Sequence, residues 1–269
     1  MKQILDVAEY GAIVEKYRQK GCKSNDYIQQ EAATLVAQGG LFAECETNNA
    51  FLYVKKPTGL RLYYYINDLN EKKAFDNVAN SLVIEILFRG SLPQEEIDYF
   101  VDQGFHVNLV RDQYAGMYKD LSIKSRNDLD FTINVAQTLD EVRSACELFN
   151  SSFDALSGDF IPEKCYENLL INRRILIAQD KKNLDFLGAL HQTKEGLTNV
   201  IAHVAVRPEA RGKGVGKTLV ESFIEQNMES EKTRYQLWVQ RQNEPAVNMY
   251  QSKGFKFINK STISLIKQR

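Results

Sequence analysis

The stretch Arg211-Gly212-Lys213-Gly214-Val215-Gly216-Lys217-Thr218 follows an apolar run at residues 200–206. It opens a segment with apolar residues at Val215, Leu219, Val220, Phe223 and Ile224. The spacing predicts a strand, a tight glycine turn and then a helix with one apolar face. Glycines at every second position let the backbone curl and bring its amides close to a ligand. A helix beginning there aims free N–H groups and the positive end of its dipole at the same point. Such a place suits a pyrophosphate without many side-chain charges.

Spacing separates the phosphate-binding patterns. A P-loop, G-x-x-x-x-G-K-[ST], needs a glycine at position 211 ahead of Gly216-Lys217-Thr218, and Arg211 stands there. A dinucleotide loop, G-x-G-x-x-G, fails from Gly212, where Lys217 takes the last position, and from Gly214, where Leu219 does. R-x-x-G-x-G is satisfied by Arg211, Gly214 and Gly216. Further on, Leu237-Trp238-Val239-Gln240-Arg241-Gln242-Asn243-Glu244-Pro245-Ala246-Val247-Asn248-Met249-Tyr250-Gln251-Ser252-Lys253-Gly254-Phe255 runs as strand, Asn, short helix with Ala and Tyr, then Gly-Phe. An ordinary glycine turn would account for the first motif alone.

On these two motifs, in this order and separation, the C-terminal half resembles the GCN5-related N-acetyltransferase (GNAT) family. The resemblance implies an acyl-CoA-dependent N-acetyltransferase that moves an acetyl group from acetyl-CoA to a primary amine by direct transfer in a ternary complex. The alternative is a module that binds or senses acyl-CoA without catalysis. Acetyl-CoA is the implied acyl-donor substrate, with no metal. The amides of Gly212, Lys213, Gly214, Val215, Gly216 and Lys217 would hold the pyrophosphate, with Arg211 adding charge and the Thr218 hydroxyl a further donor. Val204, Ala205 and Val206 would pair with the amides of pantetheine as an added strand. The same strand would polarise the thioester carbonyl.

The resemblance also implies that Tyr250 acts as general acid to the departing thiolate and that Asn243 bonds pantetheine. A Tyr on an amphipathic helix is otherwise a core aromatic, and Asn243 ahead of Pro245 is also a helix start. His203 is the candidate base, because its titration range suits removal of an ammonium proton. Strand alternation puts it opposite Val204, which allows a core position instead. His191, Glu209 and a water chain are alternatives, and Asp154 and Asp159 are loop acids able to attract a cationic amine.

The expected fold class is α/β: a tandem acyl-CoA N-acyltransferase fold with a mixed, mostly antiparallel sheet flanked by helices in each half. The C-terminal order is a strand at 131–136, a helix from Thr138 and Glu141 to about 150, and a helix from Pro162 to about 172. Strands at 175–178, 186–191 and 200–206 follow, then the loop helix, a strand at 235–239, a helix at 245–253, and strands at 255–258 and 262–266 as a hairpin. The N-terminal half repeats much of this order. It has helices at 8–20 and 25–38, strands at 41–45, 51–55 and 61–66, a helix near 73–80, a strand at 82–88, and a helix at 93–103 closed by Gly104-Phe105. In that copy Phe100 and Pro93 stand where Tyr250 and Asn243 would, and residues 67–73 lack the glycine loop. The expected domains are therefore a degenerate GNAT-like domain at 1–125 and a GNAT N-acetyltransferase domain at 126–269, with a polar linker at 119–130.

Composition sets the remaining bounds. With 269 residues and a net charge of −1, nothing in the charge favours nucleic acid or an acidic membrane. Cys22, Cys45, Cys146 and Cys165 show no C-x-x-C spacing and read as thiols of a reducing compartment. The longest apolar run, at 81–88, is interrupted by Glu85 and too short for a bilayer. A cytoplasmic protein is expected, whose partner is a small-molecule or peptide amine, with no nucleic acid and no membrane.

Overall fold

A computed structural model describes residues 1–75, 80–123 and 129–268. The chain forms two compact units, one of Met1–Val110 with Ser261–Arg269, the other of Arg111–Lys260. The first part of the chain supplies β1 (Lys2–Gln3), α1 (Val7–Tyr17), β2 (Lys23–Ser24), α2 (Ala32–Ala37), β3 (Leu41–Cys45), β4 (Ala50–Lys56), β5 (Gly59–Ile66), β6 (Leu82–Phe88), α3 (Gln94–Val101) and β7 (His106–Met117). The second part supplies β8 (Phe131–Val135), α4 (Leu139–Ser152), α5 (Tyr166–Ile171), β9 (Ile175–Asp180), β10 (Phe186–Glu195), β11 (Thr198–Val206), α6 (Val215–Gln226), β12 (Arg234–Gln240), α7 (Glu244–Ser252) and β13 (Lys256–Lys267).

In the N-terminal unit the strands lie in the order β1-β3-β4-β5-β6, and β6 is followed by residues 261–267 of β13. Among the described residues of this unit every pairing is antiparallel except β5 with β6. β4 reads as an unbroken apolar run because both of its faces are covered. Phe51 and Tyr53 join the cluster that holds Tyr64, Phe100 and Leu265, while Leu52 and Val54 join Tyr10, Leu35 and Tyr65.

The C-terminal unit repeats the scheme. Residues 111–117 of β7 pair with β12, and the order continues β11-β10-β9-β8. Here β11 with β12 is the parallel pair. One face carries α6 over Leu176, Leu190, Ile201 and Leu237; the other carries α4 and α5 over Ile175, Ile177, Ala189 and Ala205. The predicted start of α4 is present in full. Thr138 Oγ1 accepts from Glu141 N at 3.2 Å, and the Glu141 carboxylate accepts from Thr138 N at 3.1 Å.

Several expectations are corrected. Residues 25–31 are not helical, and α2 begins only at Ala32. Of the helix expected near 73–80, Lys73 to Phe75 and Asn80 are not helical, and 76–79 lie outside the described residues. The closing hairpin is one strand, β13; Asn259, at φ 52, carries the local turn signal inside it. The strand β7 was not anticipated at all. Of the expected linker, Lys119 and Asp120 belong to a 3-10 turn at Tyr118–Asp120, and Leu121 and Ile123 pack on the core, while 124–128 lie outside the described residues. The boundary drawn at 125/126 differs from the division between the compact units, which falls at 110/111 and again at 260/261. No described helix is long and apolar enough to cross a membrane.

Candidate functional site

The site is built where two parallel strands separate. Among the described residues, β11 and β12 pair from Thr198↔Arg234 to Ile201↔Leu237, yet β11 runs on to Val206 and β12 to Gln240. On its other side β11 keeps register with β10 up to Gly188↔Val206, with one irregularity: His191 faces His203, and Gln192 faces Ile201. Ala202 is therefore an extra residue on β11, a bulge that bends the strand where it leaves β12. Arg207 N donates to Leu187 O, so in that register Ala205 turns its N–H and C=O toward β10, and the main-chain groups of Val204 and Val206 face the opening.

The glycine loop follows directly. After a 3-10 turn at Pro208–Ala210, Gly212 and Gly214 take φ values of 78° and 86°. A side chain in that left-handed region costs about 1–2 kcal/mol, so the two positions are restricted to glycine or strained. Gly214 caps α6, and the first intrahelical bond is Thr218 N to Gly214 O at 3.0 Å. The amides of Val215 and Gly216 precede it and point out of the helix end. Gly216 seats this end against the strand, since a Cβ there would lie 3.4 Å from Val206 Cγ2. The Thr218 hydroxyl donates to Gly214 O at 3.1 Å, so its proton serves the helix rather than a ligand. Arg211 Nε donates to Val206 O at 3.3 Å, which places the exposed guanidinium beside the opening. Lys213 is exposed.

α7 flanks the opening on the α6 side. Asn243 caps it, its side-chain oxygen accepting from Ala246 N at 3.3 Å with Pro245 in the first turn. Tyr250 is buried in the cluster that contains Ile201, Leu237 and Val239, edge-on to Phe255 at 5.9 Å. Burial pushes its phenol well above the ordinary range, so it keeps its proton at any working pH.

His203 lies on the opposite face. Its ring stacks on Phe149 at 5.4 Å and on His191 at 5.4 Å, with Phe153 at 5.0 Å, and its Nδ1 is 3.1 Å from His191 Nδ1. One of the two nitrogens donates and the other accepts. Burial, the neighbouring His203 and Arg174 push His191 down to about 3, so it stays neutral. Of the other candidates, Glu209 pairs with Arg207 at 3.6 Å on the surface. Asp154 holds its own turn by accepting from Leu156 N at 3.2 Å and Ser157 N at 3.1 Å. The side chain of Asp159 lies outside what is described.

Sequence reasoning missed Glu221 and Lys253. Lys253, just past α7, reaches a carboxylate oxygen of Glu221 on α6 and also donates to Ser122 O at 3.2 Å. This buried pair ties the helix that carries Tyr250 to the helix that opens with the glycine loop. Nothing in a Glu and a Lys, two of the commonest surface residues, distinguishes a buried pair before the fold is known.

Comparison with known proteins bears on the same residues. The Acetyltransferase (GNAT) family model matches residues 144–255, from α4 to Phe255. No curated protein sequence matches the chain. Among solved structures, a GCN5-related N-acetyltransferase from Sphaerobacter thermophilus is similar at a TM-score of 0.58, with 13% identity, over 82% of this chain and 76% of that one. A tandem GNAT protein from the clavulanic acid biosynthesis pathway is similar at a TM-score of 0.56, with 8% identity, over 85% and 83%. An acetyltransferase of the GNAT family from Colwellia psychrerythraea is similar at a TM-score of 0.54, with 13% identity, over 100% and 99%. At these identities the likeness is one of fold, and the fold is that of the GNAT acetyltransferases.

Proposed function

We propose that the C-terminal unit transfers an acetyl group from acetyl-CoA to an amine held in the same complex. The observation that carries this reading is the separation of β11 from β12 immediately ahead of the glycine loop. An extended pantetheine arm fits that opening by pairing with the main chain of Val204 and Val206 on either side of Ala205. The amides from Gly212 to Lys217 then take the pyrophosphate, aided by Arg211. Asn243 keeps its cap, and its side-chain NH2 is left to bond pantetheine.

The two faces of the sheet divide the proton traffic. The amine nitrogen attacks the thioester carbon, the C–S bond breaks, and the sulfur leaves as thiolate. Tyr250, on the α6 side, donates a hydrogen bond to that sulfur as charge builds on it. His203, on the α4 side, takes the proton that the amine must lose, with its tautomer held by neutral His191. A main-chain N–H of β11 polarises the carbonyl while charge builds on its oxygen. Holding both substrates removes the cost of bringing them together, several kcal/mol in favourable cases.

We read the N-terminal unit as a degenerate copy. Its β5 and β6 are again the parallel pair, and α3 ends as α7 does. Gly104 N donates to Val101 O at 2.9 Å and Phe105 N to Phe100 O at 3.1 Å, matching Gly254 N to Gln251 O at 2.9 Å and Phe255 N to Tyr250 O at 3.1 Å. Calorimetric titration with acetyl-CoA, with ATP as control, tests the whole reading. Saturable binding of acetyl-CoA and not ATP supports it; no acetyl-CoA binding removes both the transferase and the sensor.

A further inference from the structure

β5 and β6 part as β11 and β12 do, but their opening is already filled. Their parallel pairing covers Leu60↔Leu82 and Arg61↔Val83. Beyond that point the edge of β5 is taken by a short strand from far earlier in the chain, with Lys23 opposite Ile66 and Ser24 opposite Tyr65. The next residue, Asn25, is fully buried and bridges the two strands with its side chain. Its Nδ2 donates to Leu62 O at 3.2 Å on β5 and to Glu85 O at 3.0 Å on β6, and its Oδ1 accepts from Tyr64 N at 2.8 Å. Further along β6, Leu87 N donates to the Tyr27 hydroxyl at 3.0 Å. Between them, Asp26 is anchored from both sides, accepting from Tyr10 at 2.7 Å and from Tyr65.

We infer that residues 23–27 are a built-in occupant of the N-terminal groove, standing where an acyl donor's extended arm lies in the C-terminal unit; the second half of this statement rests on the reading proposed above. The chemistry is the same in both places. Two separated parallel strands expose main-chain donors and acceptors toward each other, and a buried one left unmet is costly. The carboxamide of Asn25 is a peptide group on a short tether, so it meets those of β5 and β6 as the amides of a bound chain would. The N-terminal unit thus takes no acyl-CoA for two separate reasons: it lacks the glycine loop, and its groove is closed by its own chain. The consequence is one donor site per chain, with a second groove that is permanently structural.

Amide hydrogen exchange on the full chain, with and without acetyl-CoA, tests this. The amides of Tyr64 and Leu87 exchange slowly in the free protein and are unchanged by acetyl-CoA, while those of Val204 and Val206 slow when it binds. Tyr27→Phe removes one acceptor from a half-exposed side chain, leaves the fold intact, and speeds exchange at Leu87 about tenfold. Slowing at Tyr64 or Leu87 on adding acetyl-CoA, two molecules bound per chain, or an unchanged Leu87 in Tyr27→Phe overturns the inference. Failure of acetyl-CoA to protect Val204 and Val206, with the Tyr27→Phe effect intact, sinks the acyl-donor reading and leaves self-occupancy of the groove standing.

Discussion

Lys253 Nζ and the Glu221 carboxylate form an ion pair in the interior of the C-terminal unit, where the two residues are 1% and 4% exposed. Removing one partner strands a buried charge and costs about 3–5 kcal/mol, whereas replacing both by apolar groups of similar volume is close to neutral. Denaturant unfolding should therefore show Glu221→Leu and Lys253→Met each strongly destabilised, and the double variant restored to near the parent. An additive double variant would mean that the two charges are not coupled.

Tyr250→Phe should lower turnover by about 10²–10³-fold while acetyl-CoA binding changes little. The phenol is buried and lies in the core, so a stability measurement must accompany the kinetics. Unchanged turnover in a folded variant takes the acid role away from Tyr250.

Gly214→Val forces a β-branched residue into the left-handed conformation at the head of α6. Acetyl-CoA affinity should fall beyond detection in calorimetry, while far-ultraviolet dichroism stays near that of the parent. Retained affinity would show that the loop does not shape the pyrophosphate site.

His191 makes stability depend on pH. His191 titrates near 6.5 when unfolded and about 3 when folded. Between those values the unfolded chain binds a proton that the native chain does not. The stabilising share is therefore complete above 6.5 and is lost as pH falls, at up to about 1.4 kcal/mol per pH unit. The melting temperature should drop from pH 6.5 to 4.5, and His191→Gln should flatten that slope. An equal slope in parent and variant assigns the loss to other groups.

A fragment of residues 126–269 should not fold as the C-terminal unit does. It lacks residues 111–117, which pair with β12 from Met117↔Arg234 to Arg111↔Gln240, and its own residues 261–267 lose β6. A fragment that gives the dispersed NMR spectrum of a native domain and binds acetyl-CoA would refute this.

What the sequence reveals is what local chemistry encodes. The capping box at Thr138 and Glu141, the glycine spacing from Gly212 to Gly216, and the Asn243-to-Gly254 helix each declare themselves within a dozen residues or so, and each is found where expected. The misses depend on distant partners. Residues 111–117 carry no strong strand alternation, and their partner β12 lies more than a hundred residues further on. Asn25 and Asp26 read as the first residues of a helix, because Ser24 ahead of them is a residue type that caps well. Tertiary demand uses them differently, to bridge β5 with β6 and to receive two phenols. Asn259 does adopt a turn conformation, but within a strand that continues on both sides. Tyr250 and His203 were legible as candidates from motif and strand position. That they stand on opposite faces of the sheet, and that a hydrogen bond joins the Nδ1 atoms of His203 and His191, required the fold.

The two compact units each include a stretch from the other half of the sequence, and this has a consequence during synthesis. β6 does not acquire the neighbour at its outer edge until residues 261–267 leave the ribosome. At roughly 5–20 residues per second, that wait is on the order of ten to thirty seconds. Through that interval Leu82-Val83-Ile84-Glu85-Ile86-Leu87-Phe88 presents an unpaired apolar edge. β7, made directly after α3, is at hand as a wrong partner throughout. The unit whose strands are made first is thus the last to be completed.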